Sequence, residues 1–118
     1  MADAAQDAVV TFLLDPATHG VSGPVEVIDT HISRVFLAGP RAYKLKRAVL
    51  LPYTDASTPG KRLANCRKEY DLNRRTAPDL YLAVRRITRA PDGSPEFDGE
   101  GPLLDAVVDY LPSPIDVE

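Results

Sequence analysis

One cysteine, Cys66, in 118 residues permits no internal disulfide and suits a reducing cytoplasm. Two well-separated histidines, His19 and His31, together with that cysteine do not make a zinc pattern, and no metal site is expected. No apolar run approaches the length of a bilayer span, so no membrane partner is expected. The opening MADAAQDAVV carries acids and no basic cluster, which is unlike a secretory signal. There is no internal repeat, no low-complexity tract and no Gly-rich G-x-G-x-x-G loop. What remains is a composition ordinary for a globular protein, 44% hydrophobic and 26% charged, at a length that fits one domain over residues 1–118.

The net charge of -3 hides a segregation. All 14 basic residues lie between Arg34 and Arg89, where only Asp55, Glu69, Asp71 and Asp79 oppose them. From Asp92 onward there are eight acids and no base. Either the basic stretch forms an anion-binding face, or the two stretches neutralise one another on folding.

Periodicity predicts a helix over residues 5–15, with Val9, Val10, Leu13 and Leu14 as an apolar stripe ended by Asp15-Pro16, and a loop closed at Gly20. Alternating residues around Val25–Ile28 predict a strand. RVFLA (34–38), a tight Gly39-Pro40-Arg41 connection and AYKLKRAV (42–49) predict a hairpin. In its second arm Tyr43 and Leu45 face one side of the sheet, and Lys44 and Lys46 the other. LPYTDASTPG reads as a loop. Thr58 caps a long helix with Pro59 at its first position, ending before Pro78. On that helix Leu63, Cys66, Tyr70 and Ala77 share a face, Cys66 is core, and Glu69 falls on the margin. Lys61, Arg62, Arg67, Lys68, Arg74 and Arg75 coat the rest. DLYLAVRRITRA is a strand before the turn Pro91-Asp92-Gly93-Ser94, and LLDAVVDYL is the last strand. The fold class expected is therefore α+β: a mostly antiparallel five-stranded sheet, a long helix packed on it, an N-terminal helix before it, and helices on one side.

The order hairpin, lysine strand, helix with glutamate and two further strands resembles the small lobe of protein-kinase-like enzymes. More closely, VIDTHISRVFLAGPRAYKLK and CRKEYDLNRRTAPDLYL resemble a bacterial family related to aminoglycoside phosphotransferases, some members of which carry a separate P-loop ATPase domain. The resemblance covers about residues 9–90. It implies an ATP-binding small lobe in which Lys44 meets the α- and β-phosphates and Glu69 holds Lys44. Lys46 is the substitute lysine if the register differs, and the turn Asp29–Ser33, with Thr30, His31 and Ser33, covers the phosphates in place of a Gly-rich loop. Asp109–Leu111 would be the hinge meeting adenine, and residues 111–118 a hinge or tail. No catalytic residue is implied in this chain. The catalytic loop with its aspartate, and the ligands for Mg²⁺, belong to a large lobe that would begin where the chain ends, so phosphoryl transfer needs that lobe.

Plainer readings compete. Lys44 can be a solvated strand lysine, and Glu69 can pair with Asn73 or Arg67 on its own helix. His31 can be a turn residue, and Tyr53, Tyr70, Tyr81 and Tyr110 can be packing. For the whole chain the rivals are a non-catalytic regulatory module docking an acidic partner surface, and a nucleic-acid binder using Lys61–Arg75 and Arg85–Arg89. The acidic overall charge makes nucleic acid the weaker partner.

Overall fold

A computed structural model describes residues 6–52 and 54–112. Helix α1 (Asp7–Leu14) leads into the single turn α2 (Pro16–His19). Strands β1 (Glu26–Asp29), β2 (Ser33–Ala38) and β3 (Arg41–Lys46) follow, then the small strands β4 (Leu50–Leu51) and β5 (Thr54–Asp55). The long helix α3 (Pro59–Arg74) and strands β6 (Tyr81–Arg89), β7 (Pro95–Phe97) and β8 (Leu103–Tyr110) complete the chain. The expected α+β class holds: the main sheet is antiparallel, in the order β1-β2-β3-β8-β6-β7, with α3 packed on it and a helix before it. It has six strands rather than five, because the Pro91–Ser94 turn sends a short strand back along β6. Residues 16–19, expected as loop, form one helical turn because the Asp15 carboxylate accepts from the Ala17 amide. Tyr53 and the tail after Pro112 lie outside the described residues. Among the described residues no helix is long and apolar enough to cross a membrane.

The helices flank both faces of the sheet, which corrects the expectation that they share one side. Val9 and Leu13 of α1 pack with Phe36, Tyr43, Leu45 and Val107. Cys66 of α3 packs with Ala42, Ala106 and Val108, which are the alternate residues of the same strands. Both faces of the central strands carry apolar side chains, so each needs a cover. Small residues on the second face let α3 come close enough for the Cys66 thiol to donate to the Ala106 carbonyl at 3.8 Å. Burial pushes that thiol up to about 12, so Cys66 is an inert core residue.

The β2–β3 turn depends on Gly39, whose φ of 59° is left-handed. A Cβ there would lie 3.0 Å from Cγ1 of Val21. Gly39→Ala is therefore expected to lose about 1–2 kcal/mol, read as a lower urea midpoint with an unchanged slope. An unchanged midpoint would mean that the turn takes another conformation.

At the far end of the hairpin, β3 stops at Lys46 instead of continuing to residue 49. Gln6 ends it: its amide donates to the Lys46 carbonyl at 3.0 Å and accepts from the Ala48 N–H at 3.0 Å. Arg62 of α3 reaches Asp105 of β8 from the α3 side. Its Nε donates to Asp105 Oδ1 at 2.8 Å and its Nη1 to the Ala56 carbonyl at 3.0 Å, while Gln6 Nε2 donates to Asp105 Oδ2 at 2.8 Å. Arg62, expected on the polar coat of the helix, is thus buried, with Asp105 and the Ala56 carbonyl taking its donors.

Candidate functional site

The alternation in β3 puts Lys44 and Lys46 on the α3 side, opposite Val35 and Ser33 of β2. The capped start of α3 sets the helix register. Thr58 accepts from the Lys61 amide at 3.2 Å, and Pro59 fills the first position. Glu69 then arrives beneath the two lysines. Lys44 Nζ donates to Glu69 Oε2 at 2.8 Å, and Lys46 Nζ donates to Glu69 Oε1. The solvated-lysine reading of Lys44 fails, and the Asn73 side chain donates to the Glu69 backbone carbonyl, at 2.9 Å, not to its carboxylate.

The three side chains are mostly buried, at 24% exposure for Lys44 and 15% each for Lys46 and Glu69. Burial pulls the Lys44 ammonium toward its neutral form, but the hydrogen bond and charge of Glu69 outweigh it, and the pKa is raised. Burial likewise favours neutral Glu69, and the two lysines overcome it, so the pKa is lowered. Lys44 and Glu69 are therefore both ionised at neutral pH.

These side chains floor a cleft of about 310 Å³ between the β1–β2 turn and the end of β8. Val35 and Leu37 form an apolar wall, Tyr110 and Pro112 close one end, and Thr30 and Ser33 form the other. The Tyr110 ring stacks on Tyr81 with centroids 5.3 Å apart, and Lys44 Nζ lies 5.4 Å from its centroid. The turn is braced internally. Thr30 Oγ1 accepts from the Ser33 amide at 3.0 Å and donates to the Ser33 carbonyl at 3.2 Å. Arg47 donates to the Thr30 carbonyl at 3.2 Å and ties its own amide to Ile32 at 2.8 Å.

Of the sequence-predicted residues, Lys44, Lys46, Glu69, Thr30 and Ser33 share the cleft. His31 is exposed on the turn and does not line it. At the expected hinge, Asp109 points to the other face, where Arg41 lies at 3.4 Å and Arg85 at 3.8 Å. The Leu111 amide is bonded to the Leu80 carbonyl at 2.8 Å, so this N–H is already engaged. Tyr110, within the expected hinge, and Pro112, within the expected hinge or tail, line the cleft with their side chains. Their signal was the position of the last strand beside the lysine strand, which sequence order alone leaves open.

Among the described residues no group of three or more His, Cys, Asp or Glu side chains could hold a metal. Glu69 spends both oxygens on lysines.

The chain is 35% identical, over 72 residues, to an uncharacterized protein of Mycobacterium bovis and to uncharacterized proteins of two Mycobacterium tuberculosis strains. The match takes in 61% of this chain and spans only 14% of the length of those relatives. No family model and no solved structure matches the chain.

Proposed function

We propose that the domain is the nucleotide-binding small lobe of an aminoglycoside phosphotransferase-like kinase. With a large lobe supplying the base and the Mg²⁺ ligands, such an enzyme transfers the ATP γ-phosphate to a small-molecule hydroxyl. The observation that carries the reading is the Lys44–Glu69 ion pair, 2.8 Å long, at the floor of a cleft whose other fixed charge is also positive. An ammonium held charged and aimed by a carboxylate is ready-made for a phosphate oxygen. The residues present suit the phosphates of ATP. Mg²⁺ would supply charge neutralisation of those phosphates, and its ligands are assigned to the large lobe.

Calorimetric titration of the 118-residue chain with ATP tests this. Saturable binding is expected, weakened at least tenfold in Lys44→Ala, about 1.4 kcal/mol. Equal binding by a folded Lys44→Ala variant would reject the role of Lys44.

A protein-interaction module is the second reading. It draws on Leu50 and Leu72, which are 70% and 57% exposed, and on the basic residues of α3. Self-association without any nucleotide effect would favour it. Nucleic-acid binding has less support, because Arg62 and Arg85 are engaged with Asp105 and with Asp98 and Asp109.

A further inference from the structure

We propose that Lys46 is a second phosphate-binding residue, which reads the terminal phosphate of a nucleoside triphosphate and so ranks ligands by phosphate number. The inference rests on the nucleotide reading of the cleft and goes beyond it, since one lysine suffices for that reading.

Charge is the first argument. Two ammoniums share one carboxylate, one on each oxygen. Glu69 is the only acid among the described residues lining the cleft. The trio therefore carries one uncompensated positive charge, in a place where Lys46 and Glu69 are each 15% exposed. A mostly buried excess of positive charge is costly, and a ligand with an extra anionic group relieves it.

Position is the second argument. The cleft is polarised along its length. Leu37, Tyr110 and Pro112 make an apolar end, and Lys44 stands midway, opposite Val35. Lys46 stands two residues further along, opposite Ser33, at the end closed by the Thr30–Ser33 turn. Two residues of strand are about 7 Å. A ligand with a flat apolar base at the Tyr110 end extends its phosphate chain past Lys44 toward Lys46. The longest chain alone reaches the second ammonium. Lys46 then exchanges Glu69 Oε1 for a phosphate oxygen, and Glu69 keeps Lys44. No covalent bond changes.

The competing account makes Lys46 a structural partner of Glu69 and predicts no dependence on phosphate number. The test is titration of the whole chain with AMP, ADP and ATP at low salt without divalent cations, in the wild type, Lys46→Gln and Lys46→Arg. Circular dichroism melting reports folding. The wild type is expected to bind ATP about tenfold tighter than ADP, a charge-assisted contact's worth. Lys46→Gln is expected to compress that ratio to about twofold or less, and Lys46→Arg to keep it. A wild-type ATP-to-ADP ratio near one overturns the inference without any variant. A folded Lys46→Gln protein that retains the ratio also overturns it, leaving the nucleotide reading intact. A wild type that binds none of the three nucleotides removes both.

Discussion

Arg62→Met is expected to cost about 3–5 kcal/mol of folding stability, the range for breaking a buried ion pair from one side. Arg62 is 3% exposed and Asp105 is fully buried, so neither can recover its lost partner from water. The change leaves Asp105 with Gln6 and its neighbouring amide as donors, and removes the donor at 3.0 Å from the Ala56 carbonyl. For a domain of this size the loss is a large share of a total of about 5–15 kcal/mol. Denaturant unfolding followed by circular dichroism measures it. The double variant Arg62→Met/Asp105→Leu should recover part of the loss, because an apolar pair leaves no uncompensated charge, while Gln6 and the Ala106 amide lose their carboxylate acceptor. A single-variant loss below about 1 kcal/mol, the value of a surface pair, would show that water reaches the pair. The same residues link α1, the end of β3 and the first turn of α3, so this cluster also fixes how Glu69 meets the lysines.

That cluster marks the border of what the amino-acid sequence reveals. Alternation in AYKLK assigns Lys44 and Lys46 to one face, and the Thr58-Pro59 start sets the α3 register, both by local geometry. Glu69 on the helix margin follows from the same angle count. Local rules fail where two distant segments decide the outcome. Arg62 lies on a polar arc of its helix, and nothing near it indicates that β3 stops at Lys46 or that Gln6, 40 residues earlier, ends the strand. Helices on both faces escape notice because the face that receives Cys66 is made of small residues such as Ala42 and Ala106, a weaker signal than Phe36 or Leu45. Part of the charge segregation cancels on folding. Arg41, Arg62 and Arg85 meet Asp109, Asp105 and Asp98 of the acidic stretch, while Lys44 and Lys46 keep a surplus in the cleft.

Glu69→Gln should lower stability by about 2–4 kcal/mol at neutral pH, somewhat less than for a fully buried pair, because the cleft admits some water to the lysines. The loss has two sources: both charge-assisted hydrogen bonds weaken, and two mostly buried ammoniums on one strand face are left to repel each other. Pyrophosphate should restore part of the stability, since an anion bound to the folded state supplies the missing charge. The pH dependence identifies the group. Its folded pKa lies below the ordinary 4.5, so the carboxylate's contribution is complete above that value and disappears as pH falls through the depressed one. The gap between wild type and Glu69→Gln should accordingly be constant near neutrality and close in acid. Other carboxylates titrate in acid as well: Asp55, held at about 2 by Lys61, Asp92 beside Ser94, and Asp98, where Arg85 outweighs burial. They are common to both proteins, so the difference between the two unfolding curves isolates Glu69. A gap that stays the same from neutral pH into strong acid would show that the carboxylate charge does not hold the lysines. The Lys44–Glu69 pair would then have no claim as a preformed phosphate site.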